Sequence, residues 1–273
     1  MILPFRYGPL GLIVLTIVGP IYRNGSIAWD RVSLLPGEKP EFPPIIGSRC
    51  YYAARQTDSV PLGIGTQHEK LIFYRGVGNF RPPLRPRYRA DGTLEIRNAG
   101  TGPITLAILF QNHKGKIGYK VIHSIRDAVT VDPTTPIFNL GQLSLELKTA
   151  LVEFGLYPKE ASAMLETWRG SWFEEGTRVL YIMPRQDVDS VLPLTMTSEP
   201  ERITRVFVGR AEVLSPATKE ILREAVDRGD TSSFEKFGRF LDVYAQRLKL
   251  RGAGTQSALA SLAQVGGAAS CIP

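Results

Sequence analysis

Residues 161–214, ASAMLETWRGSWFEEGTRVLYIMPRQDVDSVLPLTMTSEPERITRVFVGRAEVL, hold the densest and best ordered apolar pattern in the chain, and their reading decides the fold. Ala161, Leu165, Trp168 and Trp172 recur at steps of four, three and four, one stripe of an α-helix whose other face carries Glu160, Ser162, Thr167 and Arg169. Pro158 suits the first helical turn, and Gly176 suits the stop. Glu174 and Glu175 fall where the helix dipole is negative, so they are either solvated or held by a cation such as Arg178. Thr177–Met183 and Ile203–Leu214 then read as strands, apolar on both faces, as strands inside a sheet are. The connection between them, residues 184–201, has prolines at 184, 193 and 200 that interrupt any ladder.

Upstream the period is two. Short apolar runs at Ile27–Leu35, Arg49–Thr57, Leu71–Tyr74, Thr93–Asn98, Ile104–Phe110 and Ile117–Ile125 are separated by Pro, Gly and Asn turns. This spacing predicts an antiparallel β-sandwich over 26–135, immunoglobulin-like in shape though without that fold's Cys, Trp, Cys signature. After Asp132–Pro136 the period becomes 3.6. Leu143, Leu147, Leu151 and Phe154 make a helical stripe closed by Gly155, which with the tryptophan helix predicts a helical hairpin. Ser215-Pro216 starts a further helix, and Phe234, Phe237, Leu241, Tyr244 and Leu248 mark another. The expected organisation is therefore α+β: a β-sandwich at 26–135, a mixed helical and β module at 140–250, and a small-residue tail at 251–273. Residues 1–25 include the apolar run Pro9–Val18, which reads as a signal or anchoring segment, a core strand or a truncated start.

The chain has 273 residues, 43% of them hydrophobic, which is enough for an ample core and argues against disorder. Its formal charge of +7 allows an acidic partner, but 33 basic residues are dispersed among 26 acidic ones. Cys50 and Cys271 have no zinc spacing, and His68, His113 and His123 are scattered, so neither a metal nor a cofactor is expected. Gly76-Val77-Gly78 fails as a dinucleotide loop because Arg81, Pro82 and Pro83 follow it in place of a helix. Asp187 and Asp189 in RQDVDS, next to Arg185, read as a solvated turn or a helix cap rather than a cation site.

The concentrated basic segment is RPPLRPRYR, residues 81–89, with Arg81, Arg85, Arg87 and Arg89. Its prolines make it an extended loop or edge, either charged to block strand pairing or available to an anion or nucleic acid. The candidate binding residues are these four arginines with Glu174, Glu175, Arg178, Arg185 and Asp187.

Segments 71–80 (LIFYRGVGNF), 109–121 (LFQNHKGKIGYKV), 155–194 and 203–216 (ITRVFVGRAEVLSP) resemble a family of uncharacterised bacterial proteins, many of them exported. The resemblance covers about residues 26–245 and implies an extracytoplasmic location, periplasmic or secreted, with no assigned activity. It departs at the front, where the family carries more β-rich sequence before Ala28-Trp29-Asp30. The leading expectation is a noncatalytic binding or scaffolding protein of the bacterial envelope, with an envelope protein or polymer as partner and membrane contact through 9–22 if that segment is retained. The alternatives are a hydrolase using Glu174 or Glu175, and a nucleic-acid binder through 81–89.

Overall fold

The structure, a computed structural model, describes residues 26–45, 50–74, 80–134, 136 and 139–228. The apolar run at 9–18, the glycines at 76 and 78, Cys271, the helix expected after Ser232 and the tail lie outside the described residues. The fold is α+β, with three antiparallel sheets and helices around them. The described residues divide into two compact units: one holds those up to Phe80 together with Tyr157–Gly170, and the other holds Arg81–Leu156 and Ser171–Arg228.

In the first unit β1 (Ser33–Leu34), β2 (Leu62–Ile64) and β3 (Gln67–Glu69) form a small sheet in that order. Residues 50–56, expected as a strand, form instead a 3-10 helix. In such a helix residues three apart eclipse, and the guanidinium of Arg55 lies over the Tyr52 ring at 4.4 Å. Arg55 also pairs with Glu69, and both side chains are nearly buried. Tyr51 stacks on Phe73, which in turn meets Trp168 at 6.5 Å. Leu71–Tyr74 is not a strand; Phe73 serves this ring cluster and Tyr74 meets Trp29 at 5.9 Å.

The second unit is built on a four-stranded sheet in the order β10 (Val208–Glu212), β9 (Gly176–Ile182), β6 (Ile104–His113), β7 (Lys116–Ile125). Every residue of β9 is buried, as the two-sided apolar pattern requires of an inner strand. A second sheet, β4 (Leu84–Tyr88), β5 (Leu94–Asn98), β8 (Ala128–Val131), shares one core with it: Leu84, Leu94 and Ile96 cluster with Ala107, Leu109, Val179 and Tyr181. α1 (Leu140–Glu153) buries Leu143, Leu147 and Leu151, and Gly155 at φ +106° follows it in the conformation expected of a C-terminal glycine. α2 (Pro158–Trp172), most of which belongs to the first unit, starts where expected and ends four residues before Gly176; α3 (Arg185–Val191) and α4 (Pro216–Arg228) complete the second unit. Ser215 caps α4 by accepting from the Thr218 N–H at 3.0 Å.

The boundary expected between a 26–135 domain and a 140–250 module is corrected. β6 pairs directly with β9, so strands from both sides of Asp132–Pro136 belong to one sheet, and the units part at Phe80/Arg81 instead. The change of period at 132–140 marks a helical excursion between two strands of one sheet. The strand expected over Ile203–Leu214 is shorter, Val208–Glu212.

Candidate functional site

The end of α2 shows what the chain does with its buried charge. A helix leaves its last carbonyls without partners, and here Arg178 serves the final one together with two carbonyls of the turn that follows. Its guanidinium donates to the carbonyl oxygens of Trp172 at 3.0 Å, Glu174 at 2.5 Å and Glu175 at 2.7 Å. Arg178 is only 1% exposed, and its Nε also donates to Glu212 Oε1 at 3.2 Å, directly across the β9–β10 ladder. Gly176, at φ +120°, turns the chain into β9, and a Cβ there would lie 3.0 Å from the Arg178 guanidinium. Arg210 closes the cluster: it pairs with Glu212 and with Glu174 Oε1, and donates to the Ser171 carbonyl. Two arginines and two glutamates thus balance one another, with the side chains of Arg178, Arg210 and Glu212 buried and that of Glu174 half-buried at the rim.

Glu174 and Glu175 were expected to be solvated or held by Arg178. Arg178 holds their main chain, while the Glu174 carboxylate is bound by Arg210. Arg210 and Glu212 escaped the sequence reading because two charges two residues apart in a strand look like one solvated face.

Asp187 is a second buried carboxylate. Both readings of it, a solvated turn and a helix cap, are corrected: the residue lies inside α3, is 8% exposed, and its Oδ1 accepts from the Thr101 N–H at 3.2 Å and hydroxyl at 3.0 Å rather than from a helix N-terminus. Its Oδ2 is buried without a hydrogen-bond partner among the described residues, against Gly100, where a Cβ would come within 2.5 Å. The nearby Tyr181 hydroxyl is pushed up to about 12 by burial first, with the charge of Asp187 adding to it and a bond to the Leu84 main chain opposing. Arg185 is exposed and bound to Asp189 at 2.7 Å and to the Ile203 carbonyl, a surface brace for the 184–205 connection. Asp189 also accepts from Arg205, and the two guanidiniums hold its carboxyl below the usual carboxylate range. Among the described residues no group of three or more His, Cys, Asp or Glu is placed to hold a metal ion.

The basic segment lies on β4, an edge strand. Leu84 and Tyr88 face the core, so Arg85 and Arg87 project from the opposite, solvent side. The register brings Arg97 of β5 directly opposite Arg85, and Glu95 opposite Arg87. Beyond them stand Ala128 and Thr130 of β8, the latter reached by Arg89 at 3.4 Å. Arg81 precedes the strand and is exposed. The outer face of this sheet therefore carries Arg85, Arg87 and Arg97 against the single acid Glu95, with no large apolar side chain. Like charges directly opposed on adjacent strands are unfavourable by a few tenths to about 1 kcal/mol. Arg97 was legible only as a polar position of TLEIRN; that it meets Arg85 follows from the β4–β5 register.

No protein-family model matches the chain, and no curated protein or solved structure was found similar to it.

Proposed function

We propose that this chain is a noncatalytic binding protein whose binding surface is the outer face of β4-β5-β8 and whose partner is an anion-bearing polymer or surface. The observation that carries this reading is Arg85 facing Arg97 in register, flanked by Arg87. A sheet selected for stability alone gains nothing from opposed guanidiniums, whereas a row of phosphates or carboxylates would turn the same pair into charge-assisted, bidentate contacts. Pro86 in the middle of β4 has no N–H to offer, which suits recognition on the face rather than strand addition at the edge. The bonds of the two carboxylates support a structural role for them: half-buried Glu174 is tied to Arg210, and buried Asp187 to Thr101. An extracytoplasmic, envelope-associated setting, implied by the resemblance to exported bacterial proteins, forms part of the proposal. So does sandwich-like stacking of β4-β5-β8 on the four-stranded sheet, which the shared core of Leu84, Ile96, Leu109 and Tyr181 supports.

Retention on an immobilised polyanion tests the reading. Wild-type protein should be held at low salt and eluted by rising salt, and Arg85→Glu/Arg97→Glu should elute much earlier with an unchanged melting curve. Equal elution of the two proteins would refute the assignment of this face.

A further inference from the structure

Resting on that reading, we propose that the arginine face of β4-β5-β8 docks on an anionic phospholipid surface. The first reason is shape and chemistry together. Successive outward positions on a strand are about 6.6 Å apart and neighbouring strands about 4.8 Å apart, so Arg85, Arg87 and Arg97 act within one screening length as a single charged patch. The patch lies on the broad side of three strands, and its neighbours Glu95, Ala128 and Thr130 offer nothing to insert between acyl chains. It can lie on headgroups without entering the membrane.

The cations are all arginine, whose planar fork matches the two oxygens of a phosphodiester better than a lysine point charge does. Nucleic acid shares that phosphate chemistry, but the face lacks what nucleic-acid readers add. Single strands are held by aromatic side chains under the bases, and the one aromatic of β4, Tyr88, packs against the core. Duplexes are read by a helix or two-stranded ribbon entering the major groove, whereas these arginines sit on the flat of a sheet.

The second reason is in the sequence. Pro9–Val18 is an apolar run of ten residues, half the roughly 20 needed to span a bilayer. A single weak apolar signal gives only marginal membrane binding, and a basic patch is the usual second signal that makes it stable. Among the described residues no helix is long and apolar enough to cross a membrane.

The test is co-sedimentation of the full chain with vesicles of phosphatidylcholine alone or mixed with phosphatidylglycerol. Each arginine at an anionic surface should raise partitioning about five-fold. Wild-type protein should therefore pellet with the mixed vesicles far more than with the neutral ones and be released by salt. Arg85→Gln/Arg97→Gln should lose about 25-fold of that partitioning while keeping the wild-type melt. Equal binding to both vesicle types, or equal binding of the double variant, would overturn the lipid assignment. If the protein stays on the polyanion column but ignores the vesicles and binds duplex DNA instead, the lipid inference falls while the anion-binding face stands. Should the double variant melt early, the salt titration of wild-type protein on mixed vesicles decides alone: release supports the proposal, and salt-insensitive binding sinks it.

Discussion

Arg178 sits at the most constrained point of the molecule, where three main-chain carbonyls and one carboxylate compete for a single guanidinium. Removing it would leave the end of α2 and part of Glu212 without a donor in a site closed to water. Arg178→Met should cost about 3–5 kcal/mol in a urea denaturation experiment, the range for breaking a buried ion pair from one side. A loss below about 1 kcal/mol would mean that water or Arg210 takes over the carbonyls. The sequence showed Arg178 as a cation near two glutamates, but it could not show that the carbonyls rather than the carboxylates were the target. Side-chain reach across a turn is set by the left-handed backbone at Gly176 and by the β9–β10 register, both tertiary facts. The tryptophans divide in the same way. Both belong to the stripe read from the sequence, yet Trp172 is buried against Phe173 while Trp168 is only partly covered and meets Phe73.

Elements with strong periodicity came out where expected. α1, α2 and α4 follow their apolar stripes and caps, and β5, β6 and β7 follow runs bounded by Asn, Gly and Lys-Gly turns. Weakly patterned segments did not: Cys50–Gln56 became a 3-10 helix because its aromatics and Arg55 pair three residues apart, and β8 was hidden in a run of only four residues. Within the sheet, β7 and β9 each bury a tyrosine with a displaced titration. Tyr119 is pushed up to about 12 by burial and by donating to Glu146 at 2.6 Å, and Tyr181 to about 12 by burial. Unfolded tyrosine titrates near pH 10. The folded values are raised, so the stability they contribute is fully present below about pH 10 and is lost as pH climbs toward about 12. Urea midpoints should fall across that window, and the fall should be shallower in Tyr119→Phe. An identical decline in the variant would show that Tyr119 has no part in it.

At the scale of the whole molecule, the class α+β was legible and the division was not. The sequence showed a change of period at 132–140, and such a change cannot tell a domain boundary from a helical excursion that returns to the same sheet; only the β6–β9 pairing does. The same limit hid the arginine face. Arg81, Arg85, Arg87 and Arg89 stood out as a basic run, but the run became a surface only when β5 placed Arg97 beside it. A face kept for binding and not for stability makes an opposed pair of demands on one residue. The measurement that tests this most directly is Arg85→Thr followed by both readouts: urea denaturation of the free protein and salt-dependent retention on a polyanion. Relief of the Arg85–Arg97 opposition should leave stability unchanged or raise it by up to about 1 kcal/mol, while retention weakens. A loss of about 1 kcal/mol or more in stability with retention unchanged would contradict it, and would make Arg85 a structural residue.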